Sequence, residues 1–144
     1  MYTALNIAKY IINKCIEIGR PISNLQLQKI LYYVQGAYIE NTNGDLLFGD
    51  DIEAWQYGPV IPSVYYEFNI YSSSNISNKQ EDIDVEERIK EIIDPIIKDK
   101  SSLDAWTLVN NTHNEEPWKT TYQFNKRNII NQECLKNYFM RTRR

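Results

Sequence analysis

SNLQLQKILYYVQGAYIE, residues 23 to 40, is the stretch on which the fold turns. It opens with a well-marked helix start. Ser23 stands where a capping hydroxyl belongs, Gln26 follows three residues on as in a capping box, and Ile22 with Leu27 supplies a hydrophobic staple. The run ends near Glu40, ahead of the turn signal Asn43-Gly44. Leu27, Ile30, Leu31, Val34 and Tyr38 make one apolar stripe, yet Tyr32, Tyr33, Ala37 and Ile39 fill the other sides, and Lys29 and Glu40 are the only charges. A helix apolar on nearly every side is stable only when enclosed. This segment is therefore read as the central buried helix of a mainly α-helical, compact multi-helix domain.

Working outward, a first helix is expected from about Ala4 to Ile18, where Leu5, Ala8, Ile11, Ile12, Cys15 and Ile16 recur at helical spacing until Gly19 and Pro21 stop it. After the central helix, Leu46–Phe48 and Ile52–Tyr57 read as short extended pieces, a small β-hairpin-like element. Gly58 and Pro59 should break the second piece, with Gly58 supplying a positive φ or a close backbone approach. Pro62 is placed to start a helix through Tyr65, Tyr66 and Phe68. Residues 71–80 read as a polar surface loop. Asp84 should open a helix carrying Val85, Ile89, Ile92, Ile93 and Ile96 inward, which Pro95 kinks or ends. Ser101 or Ser102 should cap the next, burying Leu103, Trp106 and Val109. Pro117 and Trp118 mark a short turn, and a last helix opens at Asn131 with Ile130 and Leu135 as its staple.

The bulk properties narrow the function. The 144 residues, 42% hydrophobic and 24% charged, suit one globular domain over 1–144, with a basic C-terminal tail at about 140–144. No window nears the roughly 18 apolar residues of a membrane span, so no membrane role is expected. Lys9 and Lys14 interrupt the N-terminal apolar pattern, which argues against a signal peptide. Cys15 and Cys134 lack CxxC spacing and His113 is the one histidine, so no metal site and no cofactor are expected, and a reducing cytoplasm is the expected location. Charge is uneven: residues 81–94 hold seven acids against two bases, and residues 117–144 hold seven bases against one acid. A pI of about 5.2 and the absence of a helix-turn-helix pattern argue against DNA as the partner.

No catalytic signature stands out. There is no glycine-rich phosphate loop, HExxH or nucleophile elbow. Asp50, Asp51 and Glu53 read as a solvated acidic cluster, and no residue is assigned a catalytic role. An enzyme of unknown reaction would need Lys29, Glu53, Tyr57 and His113 to converge in one pocket. The remaining candidates are the aromatics Trp55, Tyr57, Trp106 and Trp118, which serve either as core or as a recognition surface, with Trp106 assigned to the core.

LQLQKILYYVQGAYIE followed by LFGDDIEAWQYGPVIPSVYYEF resembles the Panacea domain, the family of SocA-like antitoxins and phage-associated GepA-like proteins. Leu27, Gln28, Lys29, Ile30, Leu31, Tyr32, Tyr33, Gln35 and Gly36 match its helix motif, with Ile at one Leu position. Ile52, Glu53, Ala54, Trp55, Tyr57, Gly58, Pro59 and Val60 match its corner, and Thr112, His113, Pro117 and Trp118 a later element. The resemblance implies a helical domain with a small β element, acting as an antitoxin that binds and neutralises a cognate toxin. The SocA-like branch further implies a proteolytic adaptor that delivers the toxin to a ClpXP-type protease. The alternative is a phage or mobile-element accessory protein that binds another host protein. Partner-binding candidates are Gln28, Lys29, Tyr32, Tyr33, Gln35, Glu53, Trp55, Tyr57, Gly58, Pro59, His113 and Trp118, with Trp55 and Tyr57 held against the central helix and Glu53 paired to Lys29 or to a basic partner.

Overall fold

The computed structural model describes residues 1–141. Of the basic tail expected at about 140–144, positions 142–144 lie outside the described residues. The architecture is mainly α-helical around one enclosed helix, with a three-stranded antiparallel sheet at its side.

Helix α1 (Ala4–Glu17) is capped by Thr3, which accepts from the Asn6 amide, and ends at Gly19 with φ +77°. Helix α2 (Asn24–Asn41) begins with the full capping box: Ser23 Oγ accepts from the Gln26 amide at 3.2 Å, and Gln26 Oε1 from the Ser23 amide at 3.0 Å. These bonds satisfy two of the helix's orphan donors. Asn43 and Gly44, both at positive φ, turn the chain away. Fourteen of its eighteen residues are buried. The enclosure is built by α1, α3 (Pro62–Tyr65), α4 (Glu87–Ser101), α5 (Ala105–His113), α7 (Gln132–Arg141) and strand β2 (Gly58–Val60), all of which touch α2. Against α7 the approach is tight: a Cβ at Gly36 would lie within 2.5 Å of three atoms of the Phe139 ring, so the ring would have to move for any residue but glycine.

Four expectations are corrected. Pro95 neither ends α4 nor limits its core face: the helix continues to Ser101, Ile89, Ile93 and Ile97 point inward, and Pro95 lies on the exposed side. Water can there serve the Glu91 carbonyl that the missing N–H would have met. Consequently neither Ser101 nor Ser102 opens α5; Asp104 does, accepting from the Thr107 amide at 2.7 Å. The helix at Pro62 lasts one turn and gives way to a 3-10 turn at Asn69–Tyr71.

The fourth correction concerns Gly58-Pro59. These residues do not break the extended piece; they form its return strand. β1 (Glu53–Trp55) pairs antiparallel with β2 through Glu53↔Val60 and Trp55↔Gly58, leaving Gln56-Tyr57 as the turn. Proline is tolerated because β2 is an edge strand in the order β2-β1-β3. The third strand, β3 (Asn128–Ile129), pairs with the other side of β1 and had no sequence signal. A one-turn helix α6 (Glu116–Lys119) and an Asn131 cap on α7 complete the chain as expected.

The acidic run is partly consumed in packing. Glu81 meets Lys9 at 2.5 Å, while Asp94 meets Lys14 at 3.7 Å and accepts from the Tyr10 hydroxyl at 2.6 Å. Loop and α4 are thereby tied to α1.

Candidate functional site

The motif residues of α2 radiate from one helix to different neighbours. Gln28 Oε1 accepts from the Ile61 amide at 2.9 Å, and its Nε2 donates to Asn24. Lys29 Nζ donates to the Pro59 carbonyl at 3.2 Å. Gln35 is bonded both ways, accepting from the Leu47 amide and donating to the Phe48 carbonyl at 2.8 Å each. Tyr32 and Tyr33 each donate at 2.8 Å to the carboxylate of Glu115. Each side chain is buried and satisfies a backbone group or the half-buried Glu115 carboxylate, which is the condition for a polar core.

The hairpin is fastened from the opposite side. Gly58 has φ +104°, and a Cβ there would lie 2.7 Å from Lys29 Cε and 2.8 Å from Thr112 Oγ1. Both reasons for a glycine therefore hold at this position. His113 Nε2 bonds the Gln56 carbonyl at 3.0 Å, and Trp118 Nε1 donates to the Trp55 carbonyl at 2.7 Å. The two rings stack on each other, and Trp118 stacks in turn on Tyr122. The consecutive carbonyls of Trp55 and Gln56, where the chain enters the turn, are thus gripped by a ring column from α5 and α6.

Burial dictates the electrostatics. Lys29 is wholly enclosed with no carboxylate beside it, and desolvation pulls its ammonium down to about 7. His113 is lowered by burial and by the Lys29 charge, against the pull of the Gln56 carbonyl. Burial raises Glu115, while the two tyrosine hydroxyls and Lys100 hold it back. Tyr32 and Tyr33 are pushed well above the tyrosine range, first by burial and then by Glu115.

Outside this framework lies a cleft of about 660 Å³ between the hairpin, α3 with the loop after it, and residues 122–127. Its walls include Trp55, Tyr57, Tyr65 and Phe124, and its cations are Lys29, Lys126 and Arg127, with no acid among the lining residues. The Arg127 guanidinium lies 3.8 Å over the Trp55 ring and donates to the Tyr66 hydroxyl at 3.0 Å. At the hairpin tip Tyr57 meets Trp106 edge to face at 5.4 Å, and both are exposed, at 47% and 57%.

Some expected partnerships differ. Glu53 does not pair with Lys29: its Oε1 accepts from the Trp55 indole at 2.8 Å. Trp106 is not core, because α5 buries Leu108, Val109 and Thr112 instead. The i, i+4 pair Leu108–Thr112 was the available signal for that face. Lys29 and Tyr57 line the cleft, while Glu53 and His113 are absent from its walls, so the four residues of the enzyme alternative do not share it. Asp50 is taken up structurally, accepting from the Ala4 amide and the Ser63 hydroxyl. Among the described residues no group of three or more His, Cys, Asp or Glu could hold a metal ion. No helix among them is long and apolar enough to cross a membrane. Arg127, Tyr65 and Tyr66 were missed because nothing local in the sequence brings them to Trp55.

The family model described as "Antitoxin SocA-like, Panacea domain" matches residues 27–119, which take in most of α2, the hairpin and the His113–Trp118 clamp. The chain is 34% identical over 89 residues to Antitoxin SocA of Caulobacter vibrioides (strain NA1000 / CB15N), an alignment covering 62% of this chain and 47% of that protein. It thus spans about half the length of the curated relative it matches. No solved structure matches the chain.

Proposed function

The chain belongs to the SocA-like Panacea family, and on that premise we propose that it is an antitoxin acting in the cytoplasm as one module over residues 1–144. It neutralises a cognate toxin by direct binding. The observation that carries the reading, beside the family, is the exposed pair of Tyr57, on a hairpin held by Lys29, His113 and Trp118, with Trp106 of α5. Trp, Tyr and Arg dominate binding hot spots when they are rigidly held. A stable contact centred there buries on the order of 1,600 Å² in total.

Among the candidate residues, Trp55 and Tyr57 touch the toxin. Gln28, Lys29, Tyr32, Tyr33, Gln35, Glu53, Gly58, Pro59, His113 and Trp118 hold the surface in shape. Neutralisation requires occlusion only, with no bond chemistry by this chain. Delivery of the bound toxin to a ClpXP-type protease is the adaptor form of the same proposal.

Co-expression with the neighbouring reading frame tests it. Growth arrest by the neighbour alone, relieved by this chain and not by a Tyr57→Ala, Trp106→Ala double variant, is the expected result. A harmless neighbour, or toxicity that persists with the intact chain, overturns the reading. A toxin half-life that shortens with this chain present, and does so only where the protease is active, identifies the adaptor form.

A further inference from the structure

We propose that the cleft beside the hairpin captures the C-terminal carboxylate of a partner polypeptide, with the last apolar side chain seated against Trp55 and Tyr65. The inference deepens the antitoxin reading by naming what part of a bound protein enters this chain.

Charge comes first. Lys126 and Arg127, both exposed, line the cleft, and no lining residue is an acid. Neither of these two cations forms an ion pair with another described residue. A chain with net charge −3 nevertheless leaves a local positive field here, because its acids are concentrated elsewhere.

Geometry narrows the anion. Arg127 is flattened on Trp55 and spends one Nη1 bond on the Tyr66 hydroxyl. A guanidinium has five N–H donors in a planar fork, so an edge remains for a carboxylate to approach in two-point fashion. The stack also fixes the side chain's orientation before any ligand arrives. The segment carrying it is itself held: Asn128 Nδ2 donates to the Thr121 carbonyl, β3 pairs with β1, and Tyr122 stacks on Trp118.

Size selects a chain end. A cleft of about 660 Å³ falls within the small-ligand range of roughly 300–1,000 Å³. A cleft of that volume holds a short chain end together with its terminal side chain. Aromatic walls favour an apolar side chain next to the carboxylate. Two wall residues, Ser72 at φ 52° and Asn125 at φ 59°, hold left-handed backbone without being glycine, the kind of local strain found at ligand clamps. A polyphosphate partner is disfavoured by the overall acidity, which a single carboxylate within the cleft feels far less.

The test uses the full chain labelled with ¹⁵N, the Trp55 indole resonance assigned through Trp55→Phe, and acetylated tetrapeptides ending in Phe, Leu or Val. Each peptide is titrated as the free acid and as the C-terminal amide. The free acids should saturate and move the Trp55 indole signal, with the amides weaker by about ten- to a hundred-fold, the worth of a bond to a charged group. Arg127→Gln should weaken the acids to the level of the amides, and Lys126→Gln, at a fully surface position, should weaken them by a smaller factor. Acids and amides binding alike, a static Trp55 signal, or an Arg127→Gln chain that folds and binds unchanged would each overturn the proposal. A dithymidine dinucleotide that moves the signal when the peptides do not would reassign the cleft to nucleic acid. No toxin is needed for this assay, so its failure leaves the antitoxin reading standing, and a harmless neighbouring gene leaves the peptide result standing.

Discussion

Two regions of this molecule are rich in polar and aromatic side chains and use them oppositely. Around α2, Gln28, Lys29, Tyr32, Tyr33 and Gln35 are turned inward and bonded to loops and helices on every side. Around the hairpin tip and residues 122–127, Tyr57, Trp106 and Arg127 face outward, held by ring contacts rather than burial, and Phe124 is exposed beside them. The family's motif lies mostly in the first region and touches the second only at Trp55 and Tyr57. The difference teaches that the motif specifies a frame, and that most of the outward aromatic and cationic side chains stand on it from outside the motif.

The comparison breaks most severely at Gly58, where the two regions share one residue. Gly58→Val adds a side chain at φ +104° into the space of Lys29 and Thr112. Strain and overpacking together should remove about 3 kcal/mol or more of stability. Urea unfolding measures it, and a loss below about 0.5 kcal/mol would mean the hairpin is not held to α2 at all.

Gln35→Leu is the next largest. It keeps the volume but strands the Leu47 amide and the Phe48 carbonyl without water, costing on the order of 2–3 kcal/mol. Thermal melts should show this with an unchanged helical signal at 20 °C or below; an unchanged Tm counts against a frame built from buried amides.

Lys29 sharpens the contrast through pH. Its folded value near 7 lies below its ordinary value of 10.5, so between those pH values the unfolded chain holds more protons. The contribution of Lys29 to stability therefore rises with pH across that window, by a few kcal/mol in total, and its full cost is felt below pH 7. Lys29→Met should flatten the slope between pH 7 and about 10 in unfolding curves. A variant that keeps the wild-type slope would show that Lys29 finds a counter-charge or water in solution.

The smallest stability effect belongs to the outward region. Trp106→Ala should stay within about 0.5 kcal/mol of the parent while weakening toxin binding about ten-fold or more. A large stability loss would return Trp106 to the core, and unchanged affinity would move the contact face elsewhere.

Much of the frame could be read without coordinates. Ser23 and Gln26 announce the α2 start, the all-round apolarity of residues 27–39 announces enclosure, and Gly58 announces an unusual backbone. Pro95 misled, since a proline on the water side of a helix costs one bond that solvent replaces, and that error displaced the expected cap of α5 from Asp104. Trp106 misled because a large aromatic fits a helical stripe whichever face the fold buries.

The chain's own order of residues determined the start of α2, its enclosure and the need for glycine at position 58, because caps, periodicity and glycine conformations act over a few neighbours. Tertiary structure alone decided the third strand, the grip of Trp118 on the Trp55 carbonyl from 63 positions away, and the Arg127–Trp55 stack that shapes the cleft. Those contacts join segments with no local signal for each other, and only the packing of everything around α2 brings them within reach.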